Sequence, residues 1–207
     1  TRSYSFATAP QDDGAVSFFI RKVPGGRFSS LVNDTDVVGE RVELEGPSGG
    51  FYLRPGQAPL LFVAGGSGLA PVLSILKAAL TQGVTRPATV LFGARAQEDL
   101  YALNELDQIA EAWPARFTVR PVLSAEPIDS DWRGARGYVT ELMEEHLTAD
   151  THAYLCGPPA MVDAALVPLR DAQVPAEHTH YDRFTTVADD PLASSAQGAA
   201  AGFFDYA

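Results

Sequence analysis

The sequence predicts a β-rich, antiparallel N-terminal part, followed by an α/β domain with a mostly parallel, doubly wound sheet. Three observations carry this. In the run 60–80, LLFVAGGSGLAPVLSILKAAL, a continuous apolar stretch turns through a glycine cluster directly into helix-period spacing. From residue 60 onward, short apolar stretches alternate with helix-period segments, as crossover-linked parallel strands do. The first third instead strings strand-like stretches between glycine turns.

In order, residues 2–10 read as a strand running into a loop and 14–23 as a second strand, a hairpin across the QDDG turn. Residues 24–32 carry a turn and a short helix start, with Ser29 and Ser30 near its N-terminus as a second candidate anion site. Residues 41–44 alternate as a strand, and 46–53 form a turn and another short strand. The character changes after Pro55. Residues 60–64 have the length and apolarity of a strand buried on both faces, and Val72, Ile75, Leu76 and Ala79 recur at helix spacing. Pro71 suits a first helical turn. Strands follow at 88–94, 117–123, 153–157 and 178–184. Helices are expected around Leu103, Leu106, Ile109 and Ala110, over about 139–147, and over 159–172, where Pro168 should introduce a kink. Residues 185–207 are poor in large apolar side chains until Phe203, and predict a flexible tail. The expected division is 1–54, 55–184 and 185–207.

Composition is that of an ordinary globular chain of 207 residues, 46% hydrophobic. No stretch approaches the ~20 apolar residues that cross a bilayer. A net charge of −11 argues against nucleic-acid and anionic membrane surfaces, so no nucleic-acid and no membrane partner is expected. Cys156 is the only cysteine, which rules out an internal disulfide and a Cys₄ iron–sulfur cluster built from this chain. The N-terminal residues show no secretory pattern, and a cytoplasmic home is the expectation.

Gly65, Gly66 and Gly68 let the backbone turn tightly and approach a ligand, and the helix that follows aims its N-terminus at a phosphate. The spacing from Gly66 is G-x-G-x-x-P, one position short of the dinucleotide fingerprint. A glycine turn of this kind also joins strand to helix in domains that bind no nucleotide.

Together with RSYS at 2–5, the turn at 24–30 and CGPP at 156–159, however, it resembles the ferredoxin–NADP reductase superfamily. The similarity is greatest to NADH-using reductase components of bacterial multicomponent oxygenases, and it covers residues 2–184. It implies that the N-terminal part is an incomplete FAD-binding barrel and that the sheet domain binds NADH. By this resemblance Arg2 pairs with the FAD pyrophosphate, Tyr4 stacks on the flavin ring and Ser5 reaches flavin N5. Guanidinium, aromatic face and hydroxyl suit those tasks. Gly26, Ser29 and Ser30 match a second pyrophosphate contact, and Ile20, Arg21 and Lys22 the strand beside the adenosine half. Phe51 falls where the family joins its two domains, although a plain core aromatic fits there as well.

On the nucleotide side the resemblance gives Gly66, Ser67 and Gly68 to the phosphate loop. Cys156, Gly157 and Pro158 lie near the nicotinamide, with Met161 flanking the ring or only packing. Family members that use NADPH commonly place Ser-Arg at the end of the strand that corresponds to 117–123; here the residues that follow are Ser124, Ala125 and Glu126. A carboxylate repels a 2′-phosphate and accepts from ribose hydroxyls, so NADH is expected. Arg95 could complicate this or pair with Glu98 or Asp99. Asp182 and Phe184 are expected to approach the flavin. His178, His180 and Asp182 share one strand face, but a solvated face is the simpler reading and no metal site is assigned. The implied function is a flavin-dependent NADH:acceptor oxidoreductase, with catalytic residues Cys156, Tyr4 and Ser5. Its electrons would pass to a [2Fe–2S] ferredoxin domain or protein and on to an oxygenase. The alternatives are a stand-alone flavin reductase, a reductase of a separate ferredoxin, and a non-catalytic NADH-binding module.

Overall fold

A computed structural model describes residues 2–185. The sheet is six-stranded and all parallel: β1 (Leu60–Gly65), β2 (Ala88–Ala94), β3 (Phe117–Leu123), β4 (Ala135–Arg136), β5 (His152–Gly157) and β6 (Thr179–Arg183). Its spatial order is β4-β3-β2-β1-β5-β6. Helices α1 (Arg27–Asp34), α2 (Leu69–Thr81), α3 (Leu103–Ala112) and α4 (Pro159–Asp171) complete the fold.

The sheet separates two apolar layers, because alternate side chains of a strand leave opposite faces. Leu60, Phe62, Val90, Phe92 and Tyr154 meet α2 and α3 on one side. Leu61, Val63, Leu91, Ala153 and Leu155 meet α4 on the other. Every residue of β1 and β5 is buried, which is why both read as unbroken apolar runs.

The N-terminal part packs on the α2 side. The Ser74 hydroxyl donates to the Thr8 carbonyl at 2.7 Å, and Lys77 donates to Ala7 at 3.1 Å. Phe19 meets Tyr101 edge-on at 4.8 Å.

Several sequence expectations are corrected. The hairpin across 11–14 survives only as an antiparallel bridge between Phe6 and Phe18, with the Ala7 N–H donating to Ser17. Residues 20–22, 41–44 and 46–53 form no ladder among the described residues, since no neighbouring strand lies alongside to satisfy them. The helix expected over 139–147 is two 3₁₀ turns, Val139–Leu142 and Glu144–His146. β-Branched Val139 and Thr140 are poor helix formers, and the Glu141 carboxylate accepts the Tyr138 N–H, fixing a tight turn. A sixth strand, β4, had no sequence signal at two residues long. Helix α4 continues through Pro168 to Asp171. The expected tail lies outside the described residues beyond Thr185.

Candidate functional site

The strand order reverses between β1 and β5, and in open α/β sheets ligands bind beyond the carboxyl ends of the strands at such a switch point. Here those ends carry the two glycine motifs. After β1 the chain makes a 3₁₀ turn, Gly66–Gly68, and enters α2, whose N-terminus no side chain caps. Gly66 has φ +53, a left-handed conformation that costs a side-chain-bearing residue strain. A methyl at Gly68 would collide with the Cys156 carbonyl, so the turn and the end of β5 touch backbone to backbone.

Cys156 is fully buried, in register between Ala64 of β1 and Asp182 of β6. Burial pushes its thiol pKa well up, and the Asp182 carboxylate adds to this. Burial also raises Asp182 itself. Met161 covers Gly65 beside Pro158, and the Phe184 N–H donates to the Gly157 carbonyl at 2.9 Å, fixing Phe184 at the end of β6.

The loops after β2 and β3 form the next wall. The Ser124 and Ala125 N–H groups donate to the carbonyls of Ala94 and Arg95. Glu126 accepts from the Gln97 backbone N–H at 2.9 Å and from its side-chain amide at 2.8 Å. These bonds, with one from Ser130, hold its carboxyl below the usual range. Glu126 therefore ties two loops together as well as placing a fixed negative charge at the edge. Arg95 is exposed, and Asp99 accepts the Ala96 N–H rather than pairing with it.

A second cleft lies in the N-terminal part, lined by Arg2, Tyr4, Val23, Gly26, Arg27 and Ser29 among others. It brings the RSYS arginine and tyrosine to the N-terminus of α1, which also lacks a side-chain cap. Free N–H groups and two guanidinium groups suit an anion. Ser29 lines the cleft, but its hydroxyl is spent on the turn, accepting from Val23 and donating to Gly26. Ser30 is half-buried, and its N–H begins the helix ladder. The Tyr4 ring packs on Phe28 at 5.6 Å, and Ser5 is half-buried. Ile20 is half-buried, Arg21 exposed, and Lys22 forms an ion pair with Asp34 at 2.6 Å. Phe51 meets Tyr154 edge-on at 5.9 Å.

Two features had no sequence signal, and a third was read differently. Arg86 is 4% exposed and donates to the carbonyls of Ala58 and Arg54, fastening the segment that enters β1. The Tyr101 hydroxyl donates to the Gly66 carbonyl at 2.9 Å. His178 and His180 are only partly solvated: both are half-buried, His178 stacking 4.0 Å from His152 and His180 lying 4.8 Å from Tyr154. Among the described residues no group of histidines, cysteines and carboxylates has a metal-holding arrangement.

Comparison with known proteins agrees with this geometry. The oxidoreductase FAD-binding domain family matches residues 1–52, and the oxidoreductase NAD-binding domain family matches residues 62–166. The xylene/toluene monooxygenase electron transfer component of Pseudomonas putida is 45% identical over 184 residues, covering 88% of this chain and 53% of that protein. The reductase component of the naphthalene 1,2-dioxygenase system of the same species is 41% identical, covering 88% and 56%. The chain spans about half the length of these relatives. Among solved structures, the Amycolatopsis cytochrome P450 reductase GcoB superposes with a TM-score of 0.74 at 31% identity, covering 89% of this chain and 56% of that one. The ferredoxin reductase in carbazole 1,9a-dioxygenase gives 0.73 at 29%, covering 88% and 55%. With both domain families matched in order on a sheet whose strand order reverses between β1 and β5, the chain belongs to the ferredoxin–NADP reductase superfamily of FAD- and NAD-binding oxidoreductases.

Proposed function

We propose that the chain is the flavin- and nicotinamide-handling part of an NADH-dependent reductase, passing single electrons through a [2Fe–2S] ferredoxin centre to an oxygenase component. The observation that carries this reading is the backbone contact between the Gly68 turn and Cys156, which brings the two glycine motifs together at the switch point and leaves no room for a Cβ. The residues fit both groups. Arg2, Arg27 and the α1 N-terminus would hold the FAD pyrophosphate, with Tyr4 against the ring and Ser5 near N5. Gly66, Ser67 and Gly68 would approach the NADH phosphates through their backbone. When bound, FAD takes two electrons with a hydride from NADH and gives them up singly.

The chain's own residues supply orientation. Cys156 keeps its proton, because burial and Asp182 both disfavour the thiolate, so it acts as a small soft wall and not as a nucleophile. Asp182, in register beside it and raised by burial, is a group able to hold a proton there. Glu126 would accept from the ribose hydroxyls and repel a 2′-phosphate. Met161 and Phe184 close the two sides of the nicotinamide site.

The partners follow from the relatives and from ligand counting. The relatives named above serve a monooxygenase and a dioxygenase. With one cysteine, this chain cannot ligate a [2Fe–2S] cluster by thiolates, so the ferredoxin must lie in another domain or protein. A cytoplasmic setting supplies NADH. In the test, the purified chain is loaded with FAD, mixed anaerobically with NADH, and followed at the flavin absorbance. Bleaching, NADH-driven reduction of one-electron dyes, and oxygenase turnover only with added ferredoxin are expected. Failure to take up FAD, or oxygenase turnover without ferredoxin, would sink the proposal.

A further inference from the structure

Tyr101 stands between the parts of the site without belonging to any motif. It follows the 3₁₀ turn Gln97–Asp99 and precedes α3. Its ring is held edge-on by Phe92 of β2 at 5.6 Å and by Phe19 of the N-terminal part at 4.8 Å. Its hydroxyl donates to the Gly66 carbonyl at 2.9 Å. The same carbonyl also accepts the Leu69 N–H, so both of its lone pairs are engaged.

This fixes a peptide plane. In a trans peptide the C=O and the following N–H point in opposite directions. With the Gly66 carbonyl drawn inward to Tyr101 and Leu69, the Ser67 N–H is turned outward, beyond the carboxyl end of β1. Gly66 itself is at φ +53, where glycine moves freely between several conformations, so a turn held by one bond alone would not keep this orientation. A second observation points the same way. Ala102, directly after Tyr101, has φ 54 and ψ 20, a left-handed conformation an alanine adopts only at a cost. Strain of this kind gathers where a side chain must be aimed. Burial pushes the phenol pKa up, so the hydroxyl stays a donor throughout the neutral range.

We propose that Tyr101 is a positioning residue of the phosphate-binding turn: it pins the Gly66 carbonyl and so presents the Ser67 N–H to the diphosphate of the nucleotide. This rests on the reading that the turn receives NADH. Tyr101→Phe keeps the ring against Phe92 and Phe19 and removes only the hydroxyl.

The test measures binding of NADH, and of ADP as a diphosphate without nicotinamide, by calorimetry on the full chain, alongside thermal melting. The expected result is a loss of affinity of about two- to tenfold for both ligands with the melting temperature nearly unchanged, the size of one lost hydrogen bond. With flavin loaded, KM for NADH should rise while the rate at saturation holds. Unchanged binding of NADH and ADP in Tyr101→Phe would overturn the inference, as would a large fall in melting temperature, which would make Tyr101 a packing residue. If the unaltered chain bound neither ligand, the nucleotide reading itself would fall, and this inference with it.

Discussion

His152 gives the chain a definite acid limit. It is 6% exposed and stacked on His178, with Arg86, His178 and His180 around it disfavouring its charged form and only Asp150 opposing them. Burial first, and these neighbours second, push its pKa down to about 4. In the unfolded chain it returns to about 6.5. Between these values the unfolded state binds a proton that the folded state refuses, so stability falls as pH drops through that window and levels off below it. At about 1.4 kcal/mol per tenfold change in proton affinity, the loss comes to about 3.5 kcal/mol. For a chain of this size that lowers the melting temperature by roughly 7–14 °C. His180 and His146, also pushed down by burial, steepen the fall. Asp182, raised by burial, opposes it near the acid end, where its proton is held more tightly folded than unfolded. Urea unfolding followed by tryptophan fluorescence reads this directly, since Trp113 donates to the Arg86 carbonyl beside the cluster. His152→Phe keeps a ring on His178 and removes the titration. It should flatten most of the stability loss between about pH 6.5 and pH 4. The same slope in His152→Phe as in wild type would refute the reasoning.

Gly68→Ala places a methyl on the backbone of Cys156 and Gly157, which β-sheet bonds hold in place. It should cost about 1–3 kcal/mol and weaken NADH binding, whereas Gly50→Ala, whose methyl would meet only the Arg54 guanidinium at 3.9 Å, should do neither; equal melting curves for both would count against the close contact. Glu126→Arg should narrow the preference for NADH over NADPH by roughly tenfold, by supplying a cation for the 2′-phosphate. Glu126→Gln controls for the loss of the Gln97 bonds, and an unaltered ratio of kcat/KM values in Glu126→Arg would remove Glu126 from the specificity argument. Cys156→Ala should slow flavin reduction in a single turnover on the order of tenfold while NADH affinity changes little, since the thiol's task is placement. An unchanged rate would return Cys156 to plain packing.

The sheet was legible because its central strands are buried on both faces. The runs 88–94 and 117–123 coincide with β2 and β3 to the residue, and β1 differs by one glycine. The 139–147 segment misled because Val139 and Met143 share a helix-like spacing, while the two β-branched residues Val139 and Thr140 disfavour a continuous helix. In the site, glycine motifs were readable since a ligand-approaching turn demands glycine locally. Tyr101, Arg86 and the pairing of His152 with His178 were not. Each acts on a group 26 or more positions away, or across to a strand whose neighbour only the topology decides. The alternation of His178, His180 and Asp182 was visible, but not that β5 offers His152, Tyr154 and Cys156 against them in the same order.

That matched row explains why the two readings of Phe51 do not compete. Its ring packs on Tyr154, whose hydroxyl accepts the Arg54 N–H at 2.8 Å, while Arg86 grips the Arg54 and Ala58 carbonyls. Tyr154 lies two residues before Cys156 on the same sheet face, stacked on Phe62 of β1. A core aromatic at 51 therefore fixes the connecting segment against the strand whose far end carries the proposed nicotinamide site. In this chain, packing Phe51 into the core is the means by which it would hold the flavin part at a set distance from Cys156.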